Sequence, residues 1–178
     1  MNRGAARGLS VLDPISIQSI SDKKRVIFFS MSWDVMILRA DGYRSLNDLP
    51  KDFKLPALGS ADQIKEKLKK HYPTLELSEP KSMNLTSGPY NYVEGTYKDK
   101  TEGYVIEFSI HLDQEDPDSI SLKVFGGGSV IWKIVELCRE NGWKAIDTSV
   151  GDFMDLENPS SKGWEDFQAY RDQVIKKK

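Results

Sequence analysis

Residues 104–125 constrain this chain more than any other stretch. Tyr104, Ile106, Phe108, Ile110 and Leu112 take every second position, with Val105, Glu107, Ser109 and His111 between them. A period of two sends alternate side chains to opposite faces of a strand. The turn Gln114–Asp118, with Pro117 in it, interrupts the pattern, and Ile120, Leu122 and Val124 resume it over Ser119–Phe125. Two alternating runs joined by a short turn predict an antiparallel pair with one face in a core and the other partly wet. Tyr90–Tyr97, containing Gly95 and followed by the turn Lys98–Gly103, predicts a third strand of the same meander.

The remaining elements fall around this meander. Trp33-Asp34-Val35-Met36-Ile37-Leu38 is apolar on both faces and predicts a central strand ended by Ala40-Asp41-Gly42, and Leu46–Leu58, with Pro50 and Pro56, predicts an irregular connection. Ser60 and Gln63 fit a capping box ahead of Ile64, Leu68 and Tyr72, and Pro73 stops that helix. Leu75–Pro89 is expected to be loop. After Gly126-Gly127-Gly128, the residues Val130, Ile131, Ile134, Val135, Leu137 and Cys138 wrap most of a helix, and Asn141-Gly142 supplies a left-handed stop. Trp143–Thr148 predicts a last strand, Gly151–Ser161 a loop, and Trp164, Phe167, Arg171 and Val174 one face of a closing helix. The expected fold is α+β, in the order β-α-β-β-β-α-β-α: a mostly antiparallel sheet of about five strands with two or three helices packed on it.

Composition narrows the function classes. The 178 residues are 39% hydrophobic and 29% charged, a globular balance, and residues 31–178 are expected to form one domain behind a poorly ordered tail or extended start, residues 1–30. The only cysteine, Cys138, excludes a disulfide framework and a cysteine-rich zinc site, and its apolar helix predicts a buried, inert thiol. No apolar run reaches the ~20 residues of a membrane span, so a cytoplasmic protein is expected. The net charge of −2 is uneven: residues 1–30 carry five Lys and Arg against two Asp, +3, which leaves −5 on the rest. An acidic body repels phosphate backbones and attracts basic partners, so a protein partner is expected and nucleic acid is not.

Candidate sites follow from that charge. Two acidic loops, Asp113, Glu115, Asp116 and Asp118, then Asp147, Asp152 and Asp155, are expected to form a rim that meets a basic protein. Gly126, Gly127 and Gly128, between a strand and a helix, are the candidate ligand site, because glycine amides at a helix start can cradle a phosphate. The Lys-Ser/Thr of a P-loop does not follow them, and a tight, closely packed strand-to-helix turn is the other reading of the triplet. A catalytic triad would need His71 or His111 beside Cys138 or a serine with an orienting carboxylate, and the apolar helix around Cys138 raises a thiol's pKa instead of activating it, so no catalytic residue, metal or cofactor is expected.

From Met31 onward, Met31-Ser32-Trp33-Asp34, Leu58-Gly59-Ser60, Gly126-Gly127-Gly128 and the run from Gly142-Trp143 through Asp147-Thr148 to Gly163-Trp164-Glu165-Asp166-Phe167 resemble a family of small bacterial proteins of unassigned activity. In type (a small, acidic, lone α+β domain) the chain is similar to immunity proteins of bacterial toxin systems. That likeness implies a non-enzymatic protein that occludes a basic toxin domain.

Overall fold

The computed structural model describes residues 31–85, 88–112 and 116–176, so the expectations for residues 1–30 and for Asp113 and Glu115 lie outside the described residues. The fold is α+β: among the described residues, three α-helices and an antiparallel sheet of eight strands. The strands are β1 Trp33–Leu38, β2 Glu76–Leu77, β3 Lys81–Leu85, β4 Gly88–Asp99, β5 Tyr104–His111, β6 Ser119–Gly126, β7 Lys144–Asp147 and β8 Asp152–Phe153. The helices are α1 Ala61–His71, α2 Ile131–Asn141 and α3 Lys162–Lys176. The sheet runs β2-β4-β5-β6-β1-β7-β8, and β3 pairs with β4 beside β2. Because β6 and β7 both run antiparallel to β1, they run parallel to each other, and α2 makes the crossover between them.

The sheet has three more strands than the sequence predicts. The expected loop Leu75–Pro89 contains β2 and β3, and the expected loop Gly151–Ser161 contains β8. All three are short and lie at the margins of the sheet, where pairing to a neighbour, not hydrophobic alternation, makes the strand. Gly95 does not interrupt β4. It lies under Leu75 and Leu77, and a Cβ there would come within 2.7 Å of Leu77 Cδ2.

The helices cover one face of the sheet. Val35 and Ile37 of β1, Ile106, Phe108 and Ile110 of β5 and Leu122 and Val124 of β6 form one buried cluster with Ile64 and Leu68 of α1 and Ile134, Leu137 and Cys138 of α2. Ser60 caps α1 in the expected box with Gln63, and Gly142 ends α2 at φ +65°. Cys138 is buried, and desolvation pushes its thiol up to about 12, which makes it inert at neutral pH. The apolar opposite face of β1 is explained by a second, smaller cluster: Leu38, Ala40 and Ile146 are covered by Tyr43, Leu46, Leu49, Phe53 and Leu55 of the irregular 41–57 connection.

Candidate functional site

β7 and β8 are joined by a tight turn in which the N–H of Gly151 donates to the carbonyl of Asp147 at 2.8 Å, with Gly151 at φ +75°. Asp147, at the end of β7, is 6% exposed. Its Oδ1 accepts the indole N–H of Trp33 at 3.0 Å, the N–H of Ser149 at 2.9 Å and the hydroxyl of Ser149. Its Oδ2 lies against the start of α3, where a Cβ on Gly163 would fall 1.9 Å away. Glycine at 163 therefore lets the α3 backbone close on a carboxylate. Buried carboxylates persist when they are hydrogen-bonded in this way.

Asp152, on β8, holds the 41–57 connection. It accepts the N–H of Leu46 at 2.8 Å, the hydroxyl of Ser45 at 3.0 Å and its own neighbour's N–H, that of Phe153, at 2.8 Å. The Leu46 bond is the largest of the influences that hold its carboxyl below the usual aspartate range. Asp155 closes the next turn by accepting the N–H groups of Asn158 and Glu157, and those bonds lower its carboxyl too. A depressed folded-state value contributes stability that is full above the unfolded aspartate range and is lost as pH falls through it and below. Asp152→Asn is therefore expected to melt earlier than the wild type at pH 6, with the gap closing as pH drops from about 4 to about 2.5; thermal melts across that series measure it.

Asp147, Asp152 and Asp155 line one cleft of about 370 Å³, joined by Asp166 from the opening half of α3, with Ser160 and Lys162 on the wall. Four aspartates and one lysine are thus among its lining residues. Asp166 is exposed, and no hydrogen bond or ion pair holds its carboxylate among the described residues. Sequence reading misses it because it sits in a helix; the only signal is an acid near a helix start. Among the described residues, no three His, Cys, Asp or Glu are grouped so that they could hold a metal ion. A neighbouring cleft of about 700 Å³ is mixed in sign, with Arg44, Arg139 and Lys144 beside Asp155 and Glu157.

The acidic rim read from the sequence is thus divided. Asp147 is buried beneath the cleft, so it shapes the potential there but cannot close directly over a partner. Asp116 is exposed and Asp118 accepts the Ser119 hydroxyl at 3.0 Å, and neither lines this cleft.

The glycine turn is occupied by the chain itself. Gly126 and Gly128 have φ of +97° and +71°, and a Cβ on them would come 2.4 Å from the Gly103 carbonyl oxygen and 2.0 Å from that of Glu102. The Gly127 N–H donates to the Gly103 carbonyl, and the Ser129 N–H donates to the Glu102 carboxylate at 3.4 Å. The carbonyls are used as well: Gly128 accepts the indole of Trp164 at 2.8 Å, and Gly126 accepts the guanidinium of the buried Arg171. Gly126–Gly128, read from the sequence as a candidate ligand site or a tight turn, forms the seam that joins the β4–β5 turn, β6 and α3.

No helix among the described residues is long and apolar enough to cross a membrane. Compared with known protein families, with curated proteins and with solved structures, the chain matches none.

Proposed function

We propose that this is a non-enzymatic protein-binding domain of the immunity type, which neutralises a cognate toxin by covering a basic surface of it. The observation that carries this reading is the cleft between β8 and α3, lined by Asp147, Asp152, Asp155 and Asp166 against a single lysine, Lys162. Three of the four carboxylates are oriented by the fold before a partner arrives: Asp147 by Trp33 and Ser149, Asp152 by Ser45 and Leu46, Asp155 by its own turn. Preorganised charge of one sign raises the association rate and rejects partners of the same sign. The −5 of residues 31–178 extends that field beyond the cleft.

Affinity capture from the source cell's extract tests the reading. The tagged chain is loaded at low salt and washed with increasing salt, and retained proteins are identified by mass spectrometry. A protein with a strongly basic domain, released as salt rises and arresting growth when expressed alone, is the expected result. Retention of acidic proteins only, or of a basic protein that is harmless when expressed alone, would refute the immunity reading.

A further inference from the structure

The sheet face opposite the helices is covered over β7, β8 and the Met36–Leu38 end of β1 by the 41–57 connection, and it is bare over β3 to β6 and at exposed Asp34 of β1. The bare part is a basin of about 450 Å³ whose lining includes Met83, Tyr90, Tyr92, Glu107, His111 and Lys123. Strand register orders its charges. Thr96 stands opposite Glu107, Glu107 opposite Lys123, and Lys123 opposite Asp34, so the row alternates in sign across β5, β6 and β1 and ends in uncharged Thr96 on β4. Glu107 and Lys123 are exposed, and among the described residues neither makes an ion pair or hydrogen bond within the chain.

We propose that this face is the interface of a two-fold dimer in which a second copy of the chain is the occupant, with Glu107 of each copy set against Lys123 of the other. A face meant for a basic partner carries one sign, whereas an alternating row is complementary to its own reverse. A two-fold axis lying along the strands between β5 and β6 reverses the row onto itself: Glu107 meets Lys123, and Thr96 meets Asp34. Isologous contacts of this kind are the commonest way for soluble chains to pair. The same axis sets the covered half of each copy against the bare half of the other, so the step in the face fits as well as the charge. The bare half supplies the apolar anchors. Met83 is 48% exposed, and the Tyr90 ring lies 5.5 Å from Tyr92 and 4.8 Å from His111. Tyrosine and methionine are enriched at such interfaces. Four strands about 4.8 Å apart, each about eight residues long, present roughly 500 Å² of projected face. That is below the roughly 800 Å² per partner of a standard interface, the size class of weak, reversible association, so the dimer is sought over a wide concentration range.

Sedimentation equilibrium of the full 178-residue chain, from about 1 to about 200 µM, tests this. The mass is expected to rise from 20.2 kDa toward twice that value. Glu107→Lys and Lys123→Glu should each weaken dimerisation about tenfold or more. The two single variants mixed together, and the double variant E107K/K123E, should recover it, because each restores opposite charges at both contacts. Thermal melts check that the variants are folded, and the double variant decides if one single melts early. A wild type that stays monomeric to the top of the range overturns the proposal, as does a dimer indifferent to both reversals.

Discussion

Alanine at Gly128 will destabilise the fold by about 3 kcal/mol or more, lowering the melting midpoint by roughly 10 °C for a chain of this size. Two effects combine. The backbone is at φ +71°, which an L side chain rarely adopts, and the new Cβ would lie 2.0 Å from the carbonyl oxygen of Glu102, which is main chain and cannot swing aside. The seam must then open, and Gly128 is where α3 is attached through the Trp164 indole. Controls sit nearby. Gly142 has a similar φ of +65°, but a Cβ added there would meet nothing within 4 Å, and Gly127 has open space too. Gly142→Ala should cost about 1 kcal/mol, and Gly127→Ala less than that. Urea denaturation with a constant slope measures all three. Equal losses at Gly128 and Gly142 would mean that conformation, and not the approach of the β4–β5 turn, sets the requirement.

Asp147→Ala should cost about 3 kcal/mol, because it leaves the buried Trp33 indole without an acceptor and frees the turn held through Ser149. Asp147→Asn keeps a carbonyl oxygen in place of Oδ1 and should cost about 1 kcal/mol. The pair separates two roles for this residue. A stability loss confined to alanine identifies a hydrogen-bond anchor. Equal stability of all three proteins would place Asp147 outside the framework of the fold.

The meander, the capping box at Ser60 and the left-handed stop at Gly142 were legible in the sequence, because each is set by a period or by a local backbone requirement. β2, β3 and β8 were not. Their residues are mostly polar, and they become strands only because β4 and β7 offer free edges. The grouping of Asp147, Asp152 and Asp155 was legible because the three are close along the chain, whereas Asp166 reaches the cleft only through the packing of α3. Burial divides the group in a way spacing cannot express: Asp147 lies next to Trp33 in space and 114 positions from it in sequence. For the glycine triplet, sequence alone left a phosphate and a tight turn both open; what it could not express is the contact with Glu102, 27 residues from Ser129, which accepts the Ser129 N–H.

If the cleft between β8 and α3 holds a basic partner by charge, Asp166→Lys is the variant that exposes it most directly. Asp166 is exposed and unbonded among the described residues, so the variant should melt within about 1 °C of the wild type. Calorimetric titration of each protein with the captured partner, at low and at high salt, is the measurement. The variant is expected to bind about tenfold or more weakly at low salt, and the difference should shrink at high salt. Equal affinity of the two proteins at low salt would contradict a charge-held partner in this cleft.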